Sequence, residues 1–328
     1  MKILVTGAGG YIGSVLVSML LEKGYNVVAL DRFFFGKDKL LQGNKNLEVI
    51  EDDIRLFDPA ILKDIDATID LAALSNDPVC ELDPVKTWSI NYLGRFRVAT
   101  LAKLMGVKRY ILPSSCSVYG FQEELVDENS CTNPLTTYAK ANLKAEEDIL
   151  KLADDKFTVV VLRQATVYGL SPRMRFDLAI NGMVKGFFKN GKIPILRDGN
   201  QWRPFVHVRD TSKAMILVLE APKEKVNKEI FNVGSDEQNY QIFDLAKRIA
   251  EAIGIPFKYE WYGLPDHRSY RVSFKKIKKV LNFSSDYDAE SGAIEIWEAL
   301  KSGKLNPDDP KTITVEWYKH LLKEGVMI

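Results

Sequence analysis

Cysteine and histidine are scarce in this sequence, with three residues of each among 328. Because Cys80, Cys116 and Cys131 are odd in number and have no paired spacing, we expect neither a disulfide framework nor a metal site. No apolar run approaches the ~20 residues that are needed to cross a bilayer. The first strand pattern begins at residue 2, which leaves no room for a signal peptide. These absences predict a cytoplasmic protein with no membrane partner.

Positively and negatively charged residues are nearly equal in number, at 45 and 44. The formal net charge is +1, and no basic block is long enough to form a nucleic-acid surface. We therefore expect no nucleic-acid partner. Apolar residues make up 46% and charged residues 27% of the chain, which is long enough for one large domain or two intimate ones. The composition is that of an ordinary globular protein with a sizeable core.

The most informative segment that is present lies near the N-terminus. An apolar strand pattern at 2–6 runs into Gly7, Gly10 and Gly13, and an apolar helical pattern opens directly afterwards. In a strand–turn–helix unit, such glycines permit a sharp turn, let a pyrophosphate approach the backbone and let the helix pack closely. The helix N-terminus then offers free N–H groups to the phosphates. A glycine pattern alone also fits a tight turn without a ligand.

An acid at the end of the second strand pattern favours the first of these interpretations. Asp31 closes the segment 25–31 and lies 18 residues beyond Gly13, where a carboxylate accepts the hydroxyls of an adenosine ribose. The motif and the acid together predict a dinucleotide site. A carboxylate at this place repels a 2′-phosphate, so we expect NAD rather than NADP, with Arg32 softening the preference.

The first half of the chain alternates β-rich and helical segments. Nearly continuous apolar strands are typical of burial on both faces, so we expect an α/β fold with a Rossmann-like, doubly wound parallel sheet. The predicted strands are 2–6, 25–31, 47–51, 67–73, 109–115 and 157–164, and the predicted helices are 11–23, 84–105 and 137–153.

The regular alternation of strand and helix patterns ends after residue 170. Strand patterns at 205–208 and 230–234 flank a helical one at 210–221, and most of 236–328 is helical, including 240–253 and 290–301. We therefore divide the chain into a cofactor-binding domain and a smaller, mostly helical C-terminal substrate-binding region. The first comprises 1–169 with the later strands from about 204–234 added back, and the second comprises 170–203 and 235–328.

Two polar residues mark a candidate reaction centre. Ser115 ends the strand 109–115, and Tyr138 opens the helix that follows. Because ligands bind at the carboxyl edge of a doubly wound sheet, both side chains are expected to converge on a bound nicotinamide. A tyrosine there serves as general acid or base if nearby positive charge lowers its pKa. The alternative is a structural serine-rich turn followed by an aromatic residue that caps a helix.

The residues singled out above, together with several others, occur in the order typical of the extended short-chain dehydrogenase/reductases. The sequence resembles the nucleotide-sugar epimerase/dehydratase family of these enzymes over essentially its whole length. The residues that carry the resemblance are Gly7, Gly10, Gly13, Asp31, Asp53-Ile54, Leu71-Ala72-Ala73, Asn91, Ser115, Val118-Tyr119-Gly120 and Tyr138. The resemblance implies NAD as cofactor and a nucleoside diphosphate sugar as substrate. We also expect a homodimer.

The resemblance assigns roles to individual cofactor contacts. It implies that Asp53 and Ile54 flank the adenine, that Ala72 and Ala73 lie beside the phosphates, and that Asn91 supports the hydrogen-bond network of the site. Further cofactor contacts are expected from the glycines of the turn and from Tyr11, Ile12, Asp31, Arg32, Leu71, Tyr138 and Asn142.

Substrate contacts are expected mainly from the second half. Arg203, within Gln201-Trp202-Arg203-Pro204, matches a family arginine that contacts the nucleotide diphosphate, and Arg268 resembles a second. A bidentate guanidinium suits a pair of phosphate oxygens, although an isolated arginine is also commonly a solvated surface charge. The remaining expected substrate contacts are Ser75, Ser115, Thr166 and Asn181.

One departure from the family pattern concerns the expected catalytic residues, Tyr138, Ser115 and Asn142. The family places a lysine four residues after the tyrosine, where it holds the nicotinamide ribose and lowers the tyrosine pKa. Asn142 can hydrogen-bond the ribose but carries no charge. Lys140 and Lys144 lie roughly 200° and 240° around the helix from Tyr138, so neither simply substitutes. We therefore expect tight cofactor binding but not fast tyrosine chemistry.

The residues after Ser115 bear on the reaction. Family members that dehydrate or decarboxylate usually carry an acid just before the Val-Tyr-Gly segment, whereas Cys116-Ser117 supplies none. We therefore favour NAD-dependent epimerisation, at C4, by hydride transfer through a keto intermediate. A one-way nucleotide-sugar dehydrogenase or reductase is the alternative, because 169–177 also resembles such relatives. A weakly catalytic cofactor-binding protein is a third possibility, with Asn142 as its only support.

Overall fold

The computed structural model describes residues 1–41 and 43–328 and is built around one seven-stranded sheet. Its strand order is β11-β7-β5-β4-β1-β2-β3, and every neighbouring pair is parallel. The predicted doubly wound α/β sheet is therefore confirmed. The strands of the chain are β1 Lys2–Thr6, β2 Asn26–Asp31, β3 Leu47–Glu51, β4 Ala67–Asp70, β5 Arg109–Ser115, β6 Phe121–Val126, β7 Thr158–Gln164, β8 Thr166–Tyr168, β9 Ile193–Leu196, β10 Trp202–His207, β11 Glu229–Val233, β12 Asn239–Gln241, β13 Tyr259–Tyr262 and β14 Ser269–Val272.

The helices that the sequence predicts are observed within a few residues of the expected bounds, except that one of them is interrupted, and further helices such as Ala179–Asn190 and Thr314–Lys323 are not predicted individually. The α-helices are α1 Tyr11–Glu22, α2 Asp77–Cys80, α3 Pro84–Trp88, α4 Arg95–Leu104, α5 Thr137–Leu150, α6 Ala179–Asn190, α7 Val208–Glu220, α8 Lys223–Val226, α9 Ile242–Ala252, α10 Lys275–Leu281, α11 Ala289–Lys301 and α12 Thr314–Lys323. Short 3₁₀ helices span Lys37–Lys39, Pro59–Leu62, Cys116–Tyr119, Asp236–Gln238 and Pro310–Thr312. The predicted helix 84–105 is divided by a π-helical segment, Ser89–Gly94, of the kind that often lies near functional sites.

The two faces of the sheet are each covered by helices. Alternate residues of a strand point to opposite faces, so Leu4 packs in the layer beneath α4 and α5 while Ile3 packs in the layer beneath α1 and α7. Every residue of β7 is buried, which explains its continuous apolar sequence. The carboxyl ends of the strands consequently meet at one open edge.

The later strands divide between two sheets. β11 pairs with β7 and extends the main sheet, as expected for 230–234. The strand expected at 205–208 does not join it. Instead, β10 pairs with β8 in parallel and with β12 in antiparallel, forming a separate three-stranded sheet. This small sheet packs with α6, α9 and α11 in a second core above the sheet edge.

Within residues 1–41 and 43–328, no helix has both the length and the apolar character that crossing a membrane requires.

Candidate active site

A cavity of about 1010 Å³ opens at the carboxyl ends of the central strands. Its walls begin at the residues that follow β1, β2, β3, β4, β5 and β7, and the second core closes the opposite side. All but two of the predicted site residues line this one cavity: Gly7, Gly10, Tyr11, Ile12, Gly13, Asp31, Arg32, Asp53, Ile54, Leu71, Ala72, Ala73, Ser75, Ser115, Tyr138, Asn142, Thr166, Arg203 and Arg268. The structure therefore brings together residues separated by more than half of the chain.

The glycine turn lies directly against the end of β4. Gly7 has a φ of +65°, and a Cβ atom at this position would approach the backbone nitrogen of Ala72 to 2.7 Å. Gly10 N–H donates to Gly7 O at 3.0 Å, and a Cβ on Gly13 would lie 2.2 Å from the same oxygen. Only glycine fits these contacts, which leave the N-terminus of α1 facing the cavity.

Asp31 lies beside this turn at the end of β2. Its carboxylate accepts hydrogen bonds from the backbone N–H groups of Gly9, at 3.0 Å, and Phe33, at 2.7 Å. Burial raises the pKa of Asp31, and these two N–H groups act against that rise. The carboxylate is thus held at the cavity wall, where its remaining lone pairs suit the hydroxyls of a ribose.

Arg32 and Asp53 form an ion pair at the next part of the wall. Arg32 Nη1 donates to Asp53 Oδ2 at 3.0 Å, and Arg55 contacts the same carboxylate through Nε at 2.9 Å and Nη2 at 2.6 Å. Burial acts to raise the pKa of Asp53, but Arg55 and Arg32 outweigh it and hold the pKa at about 2. Arg32 is therefore paired with a carboxylate at this part of the wall.

Ser115 and Tyr138 are positioned by the turn after β5 and the start of α5. Ser115 Oγ accepts a hydrogen bond from Ser117 N–H at 3.1 Å, which leaves its hydroxyl proton free to donate. Thr136 caps α5 by accepting from Ala139 N–H at 3.2 Å, so that Tyr138 lies in the first turn. Both Ser115 and Tyr138 line the cavity, as the sequence predicts.

The electrostatic surroundings of Tyr138 oppose its ionisation. Burial raises the pKa of its phenol, and the nearby Cys80 and Asp77 raise it further. Arg95 and the amide of Asn142 act in the opposite direction. A base at this position therefore depends on neighbouring positive charge.

Arg95 is a residue of the site that the sequence reasoning missed. It begins α4, is 2% exposed, lines the cavity and donates from Nη1 to Asn142 Oδ1 at 2.8 Å. A sequence signal for its burial does exist. Arg95 stands in one helical stripe with the buried residues Val98, Ala99 and Ala102, where a charged side chain is unusual.

Arg203 and Arg268 meet across the cavity around one shared carboxylate. Arg203 Nη2 lies 2.8 Å from Asp266 Oδ2, and Arg268 contacts Asp266 through Nε at 2.9 Å and Nη2 at 2.7 Å. Arg268 Nη1 also contacts Asp77 at the start of α2. Burial acts to raise the pKa of Asp266, but Arg268 and Arg203 hold it below its usual value. The structure brings the two predicted phosphate ligands together.

A second pair of arginines, also missed from the sequence, lines the same cavity. Arg175 donates to Asp177 from Nε at 3.0 Å and from Nη2 at 2.9 Å, and its Nη1 contacts Ser75 Oγ at 3.3 Å. Arg173 donates from Nη2 to Thr314 Oγ1 at 3.0 Å, whereas its buried Nε and Nη1 have no partner. These arginines occur in a loop without periodicity, so no pattern marks them as buried.

Two predicted site residues lie behind the cavity wall. Asn91, in the π-helical segment, accepts from Leu74 N–H at 2.8 Å and donates to Leu74 O at 2.9 Å. Asn181 accepts from Gly169 N–H at 3.0 Å and donates to Tyr11 Oη at 3.1 Å. Both side chains are fully buried. The structure places them as supports for cavity-lining segments and not at the cavity surface.

The carboxylates that line the cavity all have partners. Asp31 and Asp52 accept from backbone N–H groups, and the other four are paired with arginines: Asp53, Asp77, Asp177 and Asp266. Next to Ser115, Cys116 is buried and its Sγ donates to Arg163 O at 3.3 Å. Tyr138 and Ser115 are therefore the groups best placed to exchange a proton with a hydroxyl in the cavity.

Comparisons with known proteins agree with this geometry. The sequence model of the NAD dependent epimerase/dehydratase family matches residues 3–234. A putative UDP-glucose 4-epimerase from Methanocaldococcus jannaschii is 32% identical over 253 residues, which cover 75% of this chain and 81% of that protein. UDP-glucuronic acid decarboxylase 1 of Arabidopsis thaliana is 28% identical over 327 residues, which cover 95% of this chain and 72% of that protein. The structure of UDP-glucuronic acid 4-epimerase from Bacillus cereus in complex with UDP-glucuronic acid and NAD is similar with a TM-score of 0.82 and 26% identity, over 92% of this chain and 99% of that one.

Proposed function

Because the chain belongs to the NAD dependent epimerase/dehydratase family, we propose that it epimerises a UDP-linked sugar at C4 through a keto intermediate. Membership of the family confirms the resemblance found in the sequence, and with it the enzyme class and NAD as cofactor. The observation that carries the proposal is a single cavity that holds Tyr138 and Ser115 together with Arg203 and Arg268.

The residues of the cavity fit NAD. The glycine turn presents the N-terminus of α1 to a pyrophosphate, and Asp31 offers a carboxylate to the adenosine ribose. On the opposite side, the buried Nδ2 of Asn142 has no hydrogen-bond partner in the protein, which suits an acceptor on the nicotinamide ribose. When bound, NAD supplies a reversible hydride acceptor.

The protein side chains supply the proton chemistry. The Tyr138 phenolate takes the proton of the C4 hydroxyl as hydride leaves C4, and the sugar becomes a 4-ketone. Ser115 donates a hydrogen bond to the same oxygen. After the ketone presents its other face, hydride returns to C4 and Tyr138 gives the proton back. Arg203 and Arg268 hold the diphosphate throughout, so that only the sugar turns.

Decarboxylating relatives are a competing comparison, and the carboxylate pattern argues against their reaction here. Those family members are expected to use an acid just after the position of Ser115, where this chain has the buried thiol of Cys116. Every carboxylate that lines the cavity is engaged by arginine or backbone N–H. Epimerisation needs one acid–base group and is therefore the better match.

The test uses purified protein supplied with NAD and, separately, UDP-glucose, UDP-glucuronic acid and UDP-N-acetylglucosamine. Proton NMR should show one of these converting to its C4 epimer, and the same equilibrium should be reached from that epimer. No reduced cofactor should accumulate. Net formation of NADH would instead identify a dehydrogenase, release of carbon dioxide a decarboxylase, and absence of any conversion a cofactor-binding protein.

We also propose a homodimer in the cytoplasm. Three large apolar side chains along α3, the π-helical segment and α4 are more than half exposed, with Val85 at 80%, Leu93 at 56% and Leu104 at 75%. Burying such residues against a second copy is favourable. The three cysteines are free, which suits a reducing compartment. Light scattering of the wild type and of Leu93→Glu tests the dimer: the variant should be monomeric, and a monomeric wild type would contradict the proposal.

A further inference from the structure

Asn142 stands one helical turn after Tyr138 and is held by a residue from a different helix. Arg95, at the start of α4, donates from Nη1 to Asn142 Oδ1 at 2.8 Å. Both side chains are almost fully buried, at 2% and 1% exposure, and both line the cavity. A cation therefore reaches the position at which the helix itself supplies only a neutral amide.

The guanidinium of Arg95 is held entirely by neutral acceptors. Its Nη2 donates to Asp70 O at 3.2 Å and to Pro113 O, at the ends of β4 and β5. The nearby Asp70 carboxylate accepts hydrogen bonds from the hydroxyls of Thr6 and Tyr110. The Asp70 carboxylate therefore balances the charge of Arg95 only through space, and no carboxylate of the described residues is bonded to the guanidinium.

The contact with Arg95 also determines which way the Asn142 amide faces. Because a guanidinium only donates hydrogen bonds, the atom of Asn142 that meets it must be the oxygen. Nδ2 is then turned away from Arg95, and it is buried without any partner in the protein. The Nε of Arg95 is likewise buried without a partner. The pair therefore presents unused donors in a cavity that is lined by both residues, which suits the oxygen of a hydroxyl.

The charge of Arg95 acts on Tyr138 as well. The charged or titratable groups near Tyr138 include Cys80 and Asp77 on α2, Arg95 on α4, Arg175 in the loop before α6, and Tyr318 of α12, which belongs to the same packed cluster. Burial, Cys80 and Asp77 raise the pKa of Tyr138, while Arg95 lowers it. By contrast, Lys144 is committed to Asp148 at 3.0 Å on the outer side of α5, and Lys140 is exposed.

We propose that Arg95 and Asn142 divide between them the two tasks that a single lysine would perform at position 142. Asn142 donates from Nδ2 to a hydroxyl of the nicotinamide ribose. Arg95 is a positioning residue, which orients the amide through Oδ1 and supplies the positive charge that favours the Tyr138 phenolate. This inference rests on the proposed function, because it assumes that Tyr138 is the acid–base group and that NAD occupies the cavity.

The experiment measures two properties that need no sugar substrate. One is NAD affinity by calorimetry, and the other is the titration of Tyr138, obtained as the ultraviolet difference between each protein and its Tyr138→Phe counterpart. Arg95→Met keeps the side-chain length but removes the charge and the donors. It should weaken NAD binding about tenfold and move the Tyr138 titration upward by about one pH unit.

Two further variants separate the proposed role from a structural one. Arg95→Lys retains the charge and should return most of the Tyr138 titration, with weaker recovery of NAD affinity because the planar fork is lost. Arg95→Met combined with Asn142→Lys restores one cation at position 142 and should recover both properties. Asn142→Lys alone places two cations side by side and should perform worse than the double variant.

Arg109→Met is the matched control. Arg109 is also held by backbone carbonyls, with Nη1 2.6 Å from Val218 O and Nη2 2.8 Å from Ala221 O, but it lies outside the cavity. It should lower thermal stability without moving either property. If Arg95→Met folds and leaves NAD affinity and the Tyr138 titration at wild-type values, the inference is wrong. If Arg95→Met does not fold, an Arg95→Lys protein or a double variant that lacks the expected recovery overturns it.

These measurements also distinguish a failure of this inference from a failure of the proposed function. If the Arg95 variants show the expected shifts but the protein converts no nucleotide sugar, the inference about Arg95 and Asn142 stands and the epimerase proposal is wrong. If the wild type is active but Arg95→Met leaves the pH–rate profile and the NAD affinity unchanged, the epimerase proposal stands and this inference is wrong.

Discussion

The guanidinium carbon of Arg173 lies 3.7 Å from the centroid of the Phe35 ring, in a buried position at the cavity wall. Among the described residues, Arg173 has no bonded carboxylate, because both carboxylate oxygens of Asp177 accept hydrogen bonds from Arg175. The aromatic face of Phe35 partly replaces that missing counter-ion. Burial, and then the charge of Arg175, lowers the pKa of Arg173. Arg173 and Arg175 together have one bonded carboxylate in the described part of the chain, Asp177, with Asp31 acting on Arg173 through space, and an anionic ligand would contribute a further negative charge.

We therefore predict that Arg173 binds a phosphate of the cofactor. Its Nε and Nη1 are buried without a hydrogen-bond partner within residues 1–41 and 43–328, and Arg173 lines the same cavity as Asp31 and Tyr11. Arg173→Met should weaken NAD binding by about 1.5–3 kcal/mol, the loss expected for a hydrogen bond to a charged group, when measured by calorimetry.

The control for this prediction is Arg248→Met. Arg248 is an exposed arginine on α9 that pairs with Glu290 at 2.8 Å, outside the cavity. It should leave NAD affinity unchanged. Equal affinities in the wild type and in Arg173→Met would show that the phosphates lie elsewhere.

The contacts of Asp31 predict a preference for NAD over NADP. A 2′-phosphate would meet the partly buried carboxylate of Asp31, which is unfavourable by about 1–4 kcal/mol at contact distance. Arg32 relieves the repulsion only in part, because it is paired with Asp53 at 3.0 Å and also donates to Met327 O at 2.9 Å. Calorimetry with both cofactors should show NAD binding more tightly, and Asp31→Ala should weaken NAD binding and narrow the difference. Tighter binding of NADP to the wild type would refute this assignment.

The proposed contact of Arg203 with the diphosphate predicts the effect of losing this arginine. Arg203→Ala should cost about 1.5–3 kcal/mol in the affinity for a UDP-sugar while NAD affinity stays constant. The matched control is Arg271→Ala, because Arg271 is a neighbour that donates to Glu123 O at 3.1 Å and does not line the cavity. If Arg203→Ala left the affinity for every sugar nucleotide unchanged, the diphosphate would not lie between Arg203 and Arg268.

Much of the fold could be predicted because burial on both faces of a parallel sheet leaves a strong signal. The strand expected at 157–164 is observed as Thr158–Gln164, and the one expected at 109–115 has the same bounds in the structure. Strand partners are a different matter. The pattern at 205–208 does describe a strand, but an apolar segment looks the same in either sheet, so its pairing with β8 could not be read.

The residues of the candidate site likewise divide into those that the sequence could predict and those that it could not. Residues at strand ends, such as Asp31 and Ser115, are placed by topology, because parallel strands bring their carboxyl ends to one edge. Arg95 and Asn142 are 47 positions apart and meet only because α4 and α5 pack together, which no periodicity reports. The position of Asn91 behind the cavity wall depends on a π-helical segment that the sequence does not signal.

The last prediction concerns the pH dependence of turnover and its origin in Tyr138. Burial raises the pKa of this phenol, so at neutral pH the folded protein holds it mainly protonated, and the base form grows as the pH rises. The rate of epimerisation should therefore increase toward alkaline pH. Because Arg95 lowers the pKa of Tyr138, it should keep this increase at a lower pH than burial alone would give. A pH–rate profile measured with the converted UDP-sugar tests this directly.

Tyr138→Phe removes the proton-transfer group with almost no change in volume, so it should lower turnover by about 10²–10⁴-fold while NAD binding and thermal stability stay near wild type. Tyr92→Phe is the control, because Tyr92 donates to Asp148 at 2.7 Å on the outer side of α5, outside the cavity, and should retain turnover. Full activity in Tyr138→Phe, or a wild-type rate that falls from neutral to alkaline pH, would show that another group takes the substrate proton.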